Sequence, residues 1–154
     1  MRTITVKGVG KVTVKPDYIE ITMKLEAKGK LYAKVMEQAT EQLSRLNKAL
    51  EAIGFEKDSL KTSNFDIQAN QERRKDIRGN IQWVFSEFVC KHQLKLSFDL
   101  DMDKLAQVLS TIAKCLAYPE LNIAFTIKDT AALNEALLRE TAMNAKHKAE
   151  LLCE

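Results

Sequence analysis

Between Ile19 and Ile53 the chain changes its hydrophobic period once, and that change points to helices packed on one side of a sheet. Ile19, Ile21, Met23, Leu25 and Ala27 alternate with Glu20, Thr22, Lys24, Glu26 and Lys28, so an extended segment has one apolar and one polar face. From Leu31 the apolar positions step by three and four through Val35, Ala39, Leu43, Leu46, Leu50 and Ile53. That spacing marks one face of a long helix, and Gly54 stands where a left-handed C-terminal cap belongs. A strand with one wet face argues for an antiparallel or mixed sheet and against a doubly wound parallel one, whose strands are buried on both sides.

The remaining elements follow from the same two periods. Ile4 and Val6, then Val12 and Val14, suggest a hairpin around Gly8-Val9-Gly10, with Pro16 punctuating the entry to the alternating strand. Phe65, Ile67 and Ala69 mark a further strand, and the polar stretch from Gln68 to Asn80 reads as a long hairpin tip. The next strand has a phase defect: Ile81, Trp83 and Phe85 are odd-numbered, whereas Phe88, Cys90, His92, Leu94, Leu96, Phe98 and Leu100 are even. A β-bulge near Ser86 and Glu87 restores a single apolar face, and deleting Ser86 is expected to misdirect it. A helix is expected from Asp103 to about Ala117, ending before Pro119; Leu121, Ile123, Phe125 and Ile127 then alternate, and Asp129 caps a last helix. The expected order is β-β-β-α-β-β-α-β-α, an α+β domain with amphipathic helices on one face of the sheet.

A chain of 154 residues is long enough to bury one core and short enough to be a single domain over residues 1–154. Its 24 basic and 21 acidic residues leave a net charge of +3, too little for strong nonspecific attraction to nucleic acid or an anionic membrane. Cys90, Cys115 and Cys153 are odd in number, widely spaced and without a Cys-x-x-Cys pair, which argues against a secreted disulfide framework or zinc site and fits reduced thiols. The N-terminus alternates instead of presenting the apolar run of a signal peptide, and no segment has the length of a membrane span. The expected location is the cytoplasm, or the periplasm or exterior if a leader has been removed.

Several fragments imitate functional motifs. Gly8-Val9-Gly10 begins like a dinucleotide fingerprint, but Thr13 holds the third glycine position and the segment leads into a strand, so no helix N-terminus awaits a pyrophosphate. Asp99, Asp101 and Asp103 alternate like calcium ligands, yet Lys104 and Ser110 occupy the glycine and glutamate positions of that loop. Helix capping is the better account. Cys90 and His92 share one strand face, but two ligands do not make a metal site and no oxyanion-hole motif accompanies them. No catalytic residue, metal or cofactor is therefore expected. Arg73, Arg74, Lys75 and Arg78 form a basic stretch diluted by Glu72 and Asp76; Trp83 and Phe85 stand just beyond it. Trp83 beside a polar hairpin suits the anchor of a protein interface.

The opening Ile-Thr-Val-Lys-Gly-Val-Gly-Lys-Val-Thr-Val-Lys-Pro-Asp at Ile4 to Asp17 resembles the SIMPL domain, named after a signalling molecule associated with a mouse pelle-like kinase. So do Thr62-Ser63-Asn64-Phe65 and the alanine-rich helix Ala-Met-Asn-Ala-Lys-His-Lys-Ala-Glu at residues 142–150. The resemblance implies a mixed α+β domain, glycines and alanines with structural roles, no known catalytic residue, and bacterial relatives of which some form ring-like or channel-like oligomers. Glu87-Phe88 stands where the family usually has Gly-Tyr, and His92 where it has Asn. Relatives generally continue past the alanine-rich helix into another strand, so the chain is expected to lack that region.

The expected function is that of a noncatalytic, self-associating interaction or scaffold protein. The alternative is a ligand-binding or nucleic-acid-binding module using the basic hairpin from Arg73 to Trp83. Expected partners are further copies of the chain and another protein, with nucleic acid disfavoured. In the last helix Ala142, Ala145 and Ala149 belong to a stripe of small side chains on which another backbone can pack. With Arg73, Arg74, Arg78, Trp83 and Phe85 they make up the expected interaction surface.

Overall fold

A computed structural model describes residues 2–115 and 120–153. The chain folds as two compact units, one of residues 19–125 and one formed by its two ends, 1–18 with 126–154. The central unit carries the core. In chain order the elements are β1 (Tyr18–Gly29), α1 (Tyr32–Ala52), β2 (Leu60–Lys75), β3 (Ile81–Asp99), α2 (Met102–Cys115), β4 (Glu120–Thr126) and α3 (Thr130–Cys153). The four strands form one antiparallel sheet in the order β2-β3-β1-β4, which with two intervening helices is the split β-α-β arrangement of ferredoxin-like folds.

The alternating residues of β1 do what their period dictates. Ile19, Ile21 and Met23 are wholly buried and pack with Leu94 and Leu96 of β3, Leu46 and Leu50 of α1, and Val108 and Ile112 of α2. The opposite face stays wet and carries cross-strand ion pairs such as Lys95–Glu20 at 2.9 Å and Lys24–Glu120 at 3.1 Å, which contribute little in water. Helix α1 ends as its sequence indicates. Gly54 has φ +100°, its N–H donates to the Glu51 carbonyl, and Phe55 N–H donates to the Leu50 carbonyl, the paired bonds of a Schellman cap. Asp101 caps α2 through the Asp103 and Lys104 amides, and Asp129 caps α3 through those of Ala131 and Ala132. The expected end of α2 at Ala117 and Pro119 lies outside the described residues.

Two expectations are corrected. Residues 2–17 form no strand, so the opening hairpin is absent and the order begins with the alternating strand. Residues 68–75 belong to β2, not to a hairpin tip, because their backbone pairs with β3 as far as Lys75↔Ile81; ladder hydrogen bonds do not depend on side-chain polarity. The turn is only Asp76–Asn80. Asp76 accepts from the amides of Arg78 and Asn80, and Gly79 has φ +81°.

The bulge is where the phase defect places it. Asn70 pairs with Glu87 and Gln71 with Phe85, leaving Ser86 extra. A second shift between Thr62 and Asn64 makes Ser63 extra in β2, so Leu60 and Thr62 share a face with Phe65 and Ile67. Because Ser86 is the surplus residue, deleting it joins two regular ladders whose faces already agree, contrary to the sequence expectation. The variant is expected to fold, to keep the fluorescence of the single tryptophan, Trp83, and to lose only local twist. A red-shifted, unpaired hairpin in that variant would contradict this register argument.

Candidate interaction surface

Strands β2 and β3 run on together past the end of β1. The Lys95–Glu20 ion pair sets β1 against the C-terminal part of β3, and Ala27 packs in one cluster with Cys90. With 12 residues against 19, β1 runs out near Ser86. Beyond it β2 and β3 continue as a two-stranded arm. On the arm Ala69 faces Phe88, Gln71 faces Phe85, Arg73 faces Trp83 and Lys75 faces Ile81, extending the core-side face of the sheet outward. Helix α1 starts at Tyr32, whose ring meets Phe88 edge-on at 5.7 Å, and roofs the sheet no further along the arm. Phe85 stacks obliquely on Phe88 at 4.9 Å, while Trp83 is 64% and Ile81 51% exposed.

The arginines of the arm are partly committed. The Arg73 guanidinium lies over the Trp83 ring at 5.6 Å, and Arg74 Nε donates to Glu72 at 2.6 Å. Arg78 is at the turn, with its backbone amide held by Asp76. The tip is therefore an internally bonded mixture of both signs, and not a continuous cationic groove.

The alanine stripe of α3 is divided. Ala145 lies against residues 2–17, since a Cβ on Gly8 would stand 2.9 Å from the Ala145 Cβ. The Asn144 side chain accepts from Val9 N–H at 3.0 Å, and Lys148 Nζ donates to the Lys7 carbonyl at 3.0 Å. Ala149 is half-buried and Ala142 exposed. Gly8 and Gly10 thus serve close packing against a helix, not the turn of a hairpin.

Cys90 and His92 do lie on one face, both buried. Burial, and then the charge of Asp66, push the Cys90 thiol above its ordinary pKa, so it is a poor nucleophile at neutral pH. Burial holds His92 below the ordinary imidazole value; Nε2 is bonded to the Thr62 hydroxyl at 3.0 Å, and Nδ1 has no partner. Among the described residues no three His, Cys, Asp or Glu side chains are grouped to hold a metal. A cleft of about 690 Å³ includes His92 and Arg45 from the helix-covered side but also Lys24 and Lys91 from the wet face. A space shared by both faces of a sheet is an open margin and lacks the enclosure of a ligand cavity.

The sequence profile of the SIMPL family, described as a protein of unknown function (DUF541), matches residues 4–154. The chain belongs to the SIMPL family. No curated protein matches it. Among solved structures, this SIMPL chain is similar to the B. subtilis GlnK–ATP complex, with 10% identity, 70% of this chain and 83% of that chain covered, and a TM-score of 0.36. It is also similar to CutA from Synechococcus elongatus PCC7942, with 11% identity, coverage of 83% and 94%, and a TM-score of 0.30.

Sequence reasoning placed Trp83 and Phe85 on the surface of this SIMPL chain but missed Ile81 and Val84, which are 51% and 36% exposed. The available signal was the run Ile81–Phe85, free of charge and proline beside a bulge. No helix among the described residues is long and apolar enough to cross a membrane.

Proposed function

We propose that this SIMPL protein is a noncatalytic interaction protein that associates with copies of itself. The observation that carries this reading is the unroofed apolar row Ile81, Trp83 and Phe85 on an arm of only two strands. An isolated pair of strands is marginally stable in water and gains a hydrophobic partner by association. The raised thiol pKa of Cys90 and the open cleft around His92 give no nucleophile or enclosed pocket to set against it.

Light scattering of the full chain across a wide concentration range tests the proposal, with a mass rising above that of one chain as the expected result. The rise should persist as salt increases, because burial of apolar surface is not screened. A monomer at every concentration, together with single-stranded nucleic acid binding that collapses with salt, would instead establish the basic hairpin as the functional surface.

A further inference from the structure

We infer that the arm pairs edge to edge with the arm of a second copy, antiparallel, about a twofold axis at Trp83 and through the segment Ile81–Phe85. This rests on the self-associating reading above and specifies the surface that associates. Along Ile81–Phe85 the outer edge of β3 lies beyond the reach of β1, and all five residues are exposed. Exposed edges are ordinarily protected by lysine, proline or a bulge. The run Ile-Gln-Trp-Val-Phe has no such residue, and the Ser86 bulge falls just outside it.

The run is also complementary to itself. Antiparallel pairing about Trp83 sets Ile81 of one copy against Phe85 of the other, Gln82 against Val84, and Trp83 against its equivalent, so the two apolar rows join on one face. The charges at the two ends of the run agree with that direction. Arg78 stands at the tip and Glu87 at the base, and neither side chain has a charged partner among the described residues. An antiparallel pair lays each tip beside the other base, bringing Arg78 of each copy next to Glu87 of the other. Parallel pairing would set like charges side by side. A contact of five residues a side is smaller than the roughly 1,200–2,000 Å² of stable complexes, so the dimer forms reversibly as concentration rises.

Charge exchange in the full chain distinguishes this contact from any other. Arg78→Glu and Glu87→Arg are each expected to raise the apparent dissociation constant about tenfold or more, and the two together to return it to the wild-type value. In a Cys115→Ser, Cys153→Ser background, Trp83→Cys should form an intermolecular disulfide under mild oxidation, because directly opposed residues lie about 4.5–5.5 Å apart at Cα. Arg74→Cys, on the far strand of the arm, should not. If the wild type associates but the reversals leave it unchanged, or both cysteines cross-link equally, the arm contact is wrong and self-association stands. A wild type that stays monomeric overturns both.

Discussion

Gly10→Ala, and Gly8→Ala still more, are expected to release residues 2–17 from α3 while leaving the central sheet folded. A Cβ at Gly8 would stand 2.2 Å from the Thr141 carbonyl oxygen; one at Gly10 would stand 2.4 Å from Thr141 Oγ1 and 2.9 Å from the Leu137 carbonyl oxygen. The helix backbone cannot yield by such amounts, and forcing a methyl into a filled contact costs about 1–3 kcal/mol. Against this, the segment is held by bonds such as Val9 N–H to Asn144 and Lys148 to the Lys7 carbonyl, each with a net value of about 0.5–1.5 kcal/mol. The overpacking cost is of the same size as these bonds together, so the segment detaches before the core yields. Amide exchange reads this directly: Val9 should lose its protection in either variant while the amides of Leu94 and Leu96 keep theirs. Unchanged protection at Val9 would show that the close approach of segment and helix is wrong.

Those two glycines also show where the sequence was legible. Several elements were readable from their own sequence: β1, the face of α1 and its Gly54 cap, the bulge at Ser86, the cap at Asp129, and capping somewhere among Asp99, Asp101 and Asp103, although the alternation of Ile4, Val6, Val12 and Val14 did not make a hairpin. Each depends on a local rule, whether a period, a backbone angle or a side chain within reach of nearby amides. Gly8-Val9-Gly10 obeys no local rule. Neither Gly8 nor Gly10 has positive φ, and their purpose lies in a helix about 130 residues along the chain, between Leu137 and Ala145, a contact invisible to any window of sequence. The Gln68–Lys75 stretch was misread for a related reason, since its strand is sustained by pairing with β3 and not by its own polar side chains. The candidate surface was half legible: aromatic residues beside a polar turn announced exposure, but that β1 stops short of Ile81–Phe85 is a property of the assembled sheet.

The second large effect is acid sensitivity arising at His92. This is the buried polar residue of the described core, 6% exposed, on β3 between Cys90 of one apolar cluster and Leu94 of the other. Its ring meets Phe65 edge-on at 5.2 Å, its Nε2 is bonded to Thr62, and Nδ1 is without a partner. Arg45 of α1 and Cys115 of α2 line the same cleft and offer no negative charge to welcome an imidazolium; Glu26 and Glu120 line it too, but each is paired with a lysine, Lys28 and Lys24 respectively. Burial thus lowers the folded-state pKa below the ordinary 6.5. Below that value the unfolded chain binds the proton more readily than the folded one, so this contribution to stability is complete above about pH 6.5 and is lost as pH falls toward the folded-state value. In urea titrations at pH 7.5 and 5.5, the wild type should lose more stability on acidification than His92→Leu. Thr62→Val alone strands both ring nitrogens and should cost about 1–3 kcal/mol at neutral pH. Combined with His92→Leu, the same change should be nearly neutral, because an unsatisfied buried group, not the missing bond, carries the cost. Equal pH slopes in the wild type and His92→Leu would place the acid response elsewhere in the chain.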